Sequence, residues 1–201
     1  MGSPAKSAPP PALDGRLRRS ERSREAIVRA LLELVGEGVL EPTAEQVAER
    51  AGVGLRTVFR HFSDMESLFV EIDARLQAEA MPLLRGEPLQ AGIELRAHDL
   101  VRRRAAFFER IAPFKRSGNL KRWRSDFLRG QHTALVKALR GDLLRCLPEL
   151  DGAPGELVEA LDLATSFEAW DRLRSDQHLG RSRAQASMEH VVQALVRDLG
   201  H

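Results

Sequence analysis

The chain has 201 residues, enough for one small unit beside one larger helical domain. It is 43% hydrophobic, 30% charged and 5% aromatic with no Tyr, and Leu, Ala, Glu and Arg prevail over the residues that strands favour, so an all-α protein is expected. A formal net charge of +2 excludes attraction to nucleic acid by overall balance and leaves that role to local clusters.

In chain order, residues 1–19 carry Pro4, Pro9, Pro10 and Pro11 without apolar periodicity and are expected as a disordered arm, basic at its end through Arg16, Arg18 and Arg19. The arm is either a solvated tail or a segment that touches phosphates. From Ser20 the pattern turns helical, with Ile27, Leu31, Leu34 and Val35 at i, i+4, i+7 and i+8 before Gly36 and Gly38. A second helix begins after Pro42, where Thr43 and Gln46 have capping-box spacing. A third follows the turn Ala51-Gly52-Val53-Gly54 and runs to Phe62. A fourth presents Leu68, Phe69, Ile72 and Leu76 on one face and meets Pro82.

Longer helical stretches are expected over about 90–111, 120–147, 155–175 and 181–199, punctuated by Pro113, Gly118, Pro148 and Gly180. No apolar run reaches bilayer-spanning length and no signal-peptide core is present, so no membrane contact and a cytoplasmic location are expected. Cys146 is the only cysteine, which excludes an internal disulfide and suits a reducing compartment. A packing role for it outweighs an oxidant-sensing one, because no cationic cluster or second thiol flanks it in sequence.

Between Thr43 and Phe62 the spacing fits two short helices joined tightly: Val47, Ala51 and Val58 can bury together, Ala48 is small at the crossing, and Gly52 offers a positive φ. That pattern suits a helix-turn-helix; an ordinary αα-corner would satisfy it too. The run Glu41-Pro42-Thr43-Ala44-Glu45-Gln46-Val47-Ala48-Glu49-Arg50-Ala51-Gly52-Val53-Gly54-Leu55-Arg56-Thr57-Val58-Phe59-Arg60-His61-Phe62 resembles the DNA-binding segment of the tetracycline-repressor (TetR) family, and with Ile27 upstream and Leu68-Phe69 downstream the resemblance spans about residues 20–75.

The resemblance implies a helix-turn-helix DNA-binding domain over 20–66 and a helical effector-binding and dimerisation domain over 67–201. It further implies a homodimer through the last two long helices, double-stranded operator DNA as partner, and repression relieved by a small-molecule effector. Carried over by position, Thr43, Thr57 and His61 meet phosphate, while Leu55, Arg56 and Arg60 stand where base edges are read; Arg suits guanine O6 and N7. Three positions depart from the family pattern: Gly54 replaces a capping Ser, Phe59 replaces Tyr and so lacks its phenol, and Met65 replaces a Lys.

In the second domain, Arg96, Arg102, Arg103, Arg104, Arg110, Lys115, Arg116, Lys121, Arg122, Arg124 and Arg129 far outnumber Asp99, Glu109 and Asp126. This stretch is either a solvated helix surface with some pairing or the seat of an anionic or acyl-carrier-type effector. Phe107, Phe108, Trp123, Phe127, Phe167 and Trp170 are either core or the lining of a ligand cavity, with His132 and His98 as polar neighbours. Effector identity stays open, and a regulator without a small-molecule ligand, controlled by a partner protein or by abundance, uses the same residues. No nucleophile motif, phosphate-binding glycine loop, zinc-ligand spacing or framed carboxylate pair is present, so neither an enzyme nor a metal or organic cofactor is expected.

Overall fold

The computed structural model describes residues 11–87, 89–197 and 199, and among them all regular structure is helical. Two compact units divide between Ala74 and Arg75. The first holds α1 (Pro11–Gly36), α2 (Ala44–Ala51), α3 (Leu55–His61) and the start of α4 (Met65–Leu84). The second holds the end of α4, then α5 (Ile93–Lys121), α6 (Asp126–Cys146), α7 (Gly155–Ala164), α8 (Phe167–Asp171) and α9 (Arg181–Arg197). None of these helices is long and apolar enough to cross a membrane.

The first unit is built on the spacing noted above: Ile27, Val28, Leu31, Leu34 and Val35 of α1 are buried together with Val47, Ala48, Val58 and Phe62. Arg50 of α2 grips Glu37 with both terminal nitrogens, at 2.8 and 2.7 Å, and reaches Glu33 at 3.7 Å, which clamps α2 to the end of α1. Arg24 of α1 bonds Glu71 of α4 at 2.7 Å and lies over the Phe62 ring, which ties the start of α4 to this unit.

Residues 1–10 of the expected arm lie outside the described residues, but α1 already begins at Pro11, so its later part is helix. Proline is well tolerated in a first helical turn, where its missing N–H would be unpaired anyway, and the Leu- and Arg-rich run behind it propagates a helix nucleated by the buried turns from Ile27. Arg16, Arg18, Arg19 and Arg22 are thereby exposed on a helix.

In the second unit α5 is the central element, packed most extensively on α9 and also on α6 and α8. It runs unbroken through Pro113 to Lys121, past the expected end near 111. A proline inside a helix costs about 3 kcal/mol. Phe107, Phe108 and Ala112 before it and Ser117 after it are buried, and that packing outweighs the loss. Conversely the expected helix over 155–175 is broken: α7 ends at Thr165, Ser166 caps α8 by accepting from the Ala169 N–H at 3.1 Å, and a π-turn over Arg172–Asp176 follows.

The cause of the break is a buried arginine. Arg104, with no exposure at all, donates to both the carbonyl and the hydroxyl of Thr165 at 2.6 Å and to the Leu139 carbonyl of α6. Thr165 Oγ1 in turn donates to Leu161 O at 2.7 Å. The guanidinium thus satisfies the carbonyl end of α7 and sits at the negative end of its dipole. Its neighbour Arg103 binds Asp99 at 2.9 Å, Cys146 Sγ at 3.0 Å and the Leu84 carbonyl. The basic stretch is therefore not a solvated face throughout, since two of its arginines are core braces.

Candidate nucleic-acid interface

The turn between α2 and α3 is held by its own chemistry. Thr43 Oγ1 accepts from the Gln46 N–H at 3.3 Å, and Gln46 Oε1 accepts from the Thr43 N–H at 2.9 Å, which completes the capping box. Gly52 closes α2 at φ +66°, a conformation that costs other residues about 1–2 kcal/mol, and its N–H returns to Glu49 O at 3.1 Å. Gly54 starts α3 with an extended backbone and no side-chain cap. Replacing Thr43 by Ala removes the cap and should lower the stability of this unit by about 1 kcal/mol, read as a shifted denaturant midpoint with unchanged slope.

With α3 so placed, Val58 is its only buried residue and faces the α1 core. Leu55, Arg56, Phe59 and Arg60 are exposed, Phe59 by 49%, and Thr57 and His61 are half-buried. Two guanidiniums and two apolar side chains thus share one solvent-facing surface of a short helix, with Thr43 exposed at the start of the neighbouring helix. His61 is the unusual member: its Nε2 is buried and makes no hydrogen bond. Burial, reinforced by the charges of Arg60 and Arg24 and only partly opposed by Glu21, holds its imidazole below the ordinary 6.5. The ring is neutral near pH 7.

Residues 26–72 match the family described as "Bacterial regulatory proteins, tetR family". Residues 26–72, under a quarter of the chain, thus carry the likeness to the TetR family of bacterial regulatory proteins. Beyond that segment the likeness is one of fold. A transcriptional regulator from Rhodococcus sp. Rha1, 16% identical, superposes with a TM-score of 0.64 over 89% of this chain and 96% of its own. A TetR transcriptional regulator from Rhodococcus sp. RHA1, 18% identical, gives a TM-score of 0.49 over 87% and 96%. No curated protein matches in sequence. Among the described residues the chain is thus all-helical, with an amino-terminal segment like that of the TetR family.

The residues singled out as ligand candidates separate into groups. Phe107, Phe108, Phe167 and Trp170 are buried, and Phe108 meets Phe167 edge-on at 5.7 Å and Trp170 at 6.4 Å. Trp170 Nε1 donates to Glu109 at 3.2 Å, which also takes Arg174. Trp123 stands apart, 74% exposed on the turn before α6, with the Arg122 guanidinium over its ring. Phe127 is half-buried, and so is His132, whose Nδ1 lies 2.6 Å from Lys115 Nζ. His98 is exposed beside Glu189 at 3.3 Å. Cys146 is buried, and desolvation raises its thiol pKa, which suits packing.

Sequence reasoning missed the core braces Arg103, Arg104, Asp142 and Thr165. Adjacent arginines in a basic run carry no local sign of which one turns inward. The one available signal was the helical spacing of Arg104 with Phe108, Ala105 and Val101 on the buried face of α5.

Proposed function

We propose that this chain is a TetR-family repressor that binds double-stranded operator DNA as a homodimer and is released by a small-molecule effector held in the second unit. One observation carries the DNA-binding part: the exposed α3 surface of Leu55, Arg56, Phe59 and Arg60, presented by a capped two-helix unit. In this reading Arg56 and Arg60 read base edges, and Thr43, Thr57 and His61 meet phosphate. Footprinting of genomic fragments retained by the purified chain is the direct test, and protected sites arranged as inverted half-sites are expected. Capture without sequence preference would refute it.

His61 adds a pH signature. Its Nδ1 is the ring nitrogen left to offer a phosphate, and a phosphate there favours the charged ring, so binding takes up a proton. Affinity is then expected to rise as pH falls through the bound-state pKa and to level off below the free-state value, which itself lies under 6.5. In His61→Gln the profile should be flat across that window in a fluorescence-anisotropy titration.

Dimerisation through the last helices is supported by apolar side chains left outside: Leu163 at the end of α7 is 68% exposed and Val191 of α9 is 46% exposed. Leu163→Glu is expected to shift the mass seen by light scattering from dimer to monomer and to weaken operator binding in parallel. The alternative reading, a regulator controlled by a partner protein or by abundance, is favoured by the mutual packing of Phe107, Phe108, Phe167 and Trp170. Loss of operator binding on adding a cell-derived small-molecule extract decides for the effector.

A further inference from the structure

The buried part of α1 begins at Ile27, and residues 16–22 ahead of it are all exposed. This stretch gains nothing from the core. A helix so short is marginal in water by itself, so it is held in shape by the buried turns behind it. Residues 15–24 contain five arginines and one acid, Glu21. Arg16, Arg19 and Arg22 stand at i, i+3 and i+6 and form one row along the helix. Among the described residues none of the three meets a carboxylate, and the bond from Arg22 Nε to the Arg18 carbonyl at 3.3 Å leaves its charge unmatched. Like charges one turn apart repel, so the row weakens the helix that carries it until an anion lies alongside.

The row adjoins the exposed α3 surface. Two residues after Arg22, the Arg24 guanidinium lies 4.8 Å from the centre of the Phe62 ring, and Phe62 closes α3. Glu21 and Arg24 are also near enough to His61 to act on its charge. Glu21 is offset from Arg22 by about 100° around the helix and so stands outside the row. The extension thus leaves the rest of its unit at the His61 end of α3 and carries arginine about 12 Å beyond Arg24, at 1.5 Å per residue. Cations that continue the α3 surface fit a polyanion lying across both. A helix is about 10–12 Å across and the minor groove of DNA about 6 Å wide, so the extension cannot enter that groove and meets the phosphates at its edge instead.

We propose that the extension of α1 is a second DNA-contacting element, in which Arg16, Arg19 and Arg22 bind phosphates flanking the half-site read by α3. The proposal rests on the reading of α3 as the DNA-facing helix. These contacts go to phosphate alone, so they raise affinity and fix register without adding base preference.

The test is a triple variant of the full chain, Arg16→Gln, Arg19→Gln and Arg22→Gln, which keeps helix propensity and removes the charge. Fluorescence anisotropy across a salt series, on a duplex with the footprinted half-site and its flanks, is the measurement. The slope of log K against log salt is expected to become shallower by about 2–3 per bound chain. Preference over a scrambled duplex should be unchanged, and lysine at the same three positions should restore the slope. Trimming the flanks should weaken the parent and leave the glutamine variant unaffected. An unchanged slope, or one lost equally with lysine, overturns the proposal. So does arginine-dependent capture by phosphatidylserine vesicles with DNA binding unaltered, which gives the row to a lipid surface. A mixed-sequence duplex keeps the two readings separable: a slope change there without selective binding to any site removes only the repressor, whereas selective binding with an unchanged slope removes only the arginine row.

Discussion

Arg104→Met is expected to lower the unfolding free energy of the second unit by about 3–5 kcal/mol, because it strips one partner from a buried charge cluster. The arginine holds Thr165 twice and Leu139 once, and Asp142 lies 3.8 Å from its Nε. Desolvation lowers its pKa to about 10, so it is still charged at neutral pH and its removal leaves Asp142 without that countercharge. The Thr165 and Leu139 carbonyls would also lose a donor in a place water does not reach. Denaturant melts followed by Trp170 fluorescence check the loss, with the midpoint moving and the slope unchanged. The double variant Arg104→Met, Asp142→Leu should not recover it, since Asp142 also pairs with Arg145 at 2.6 Å and with Arg103 at 3.5 Å and its removal takes a carboxylate from both. A single variant as stable as the parent would show that α7 ends at Thr165 for reasons unconnected with the guanidinium.

Arg56→Ala and Arg60→Ala should each cost about 1–3 kcal/mol of specific DNA binding and relax preference at one base pair per half-site. Both side chains are exposed and neither supports the fold, so thermal melts of the variants should overlay the parent. The salt dependence gives a second handle: a side chain that reads bases changes selectivity, whereas one that only meets phosphate lowers the salt slope by about one and weakens all sequences alike. Gel-shift titrations on footprinted and scrambled fragments separate the two. Full, equally selective binding by both variants would remove α3 from its place as the reading helix. Phe59, exposed by 49% beside them, is expected to add apolar contact to the same surface.

The amino-terminal unit was legible because its determinants are local. Capping by Thr43 and Gln46, the left-handed turn at Gly52 and the inward Val47, Ala48 and Val58 all act within residues 43–58. The candidate interface followed, since a residue that is not needed for that small core must face outward. The arm was harder: the prolines of its first half hid a Leu- and Arg-rich second half that continues α1.

In the second unit the sequence by itself determined that the chain is helical and which broad faces are apolar, because side-chain propensity and periodicity are properties of neighbours along the chain. It did not determine where helices end or which charges turn inward. Pro113 should have stopped α5 and did not, because burial on both sides exceeds the lost hydrogen bond. Nothing near Thr165 should have stopped α7, and it stops there, because a guanidinium from another helix takes up its carbonyl. Those outcomes belong to tertiary structure alone: each depends on a partner 30 or more residues away whose contribution outweighs the local preference.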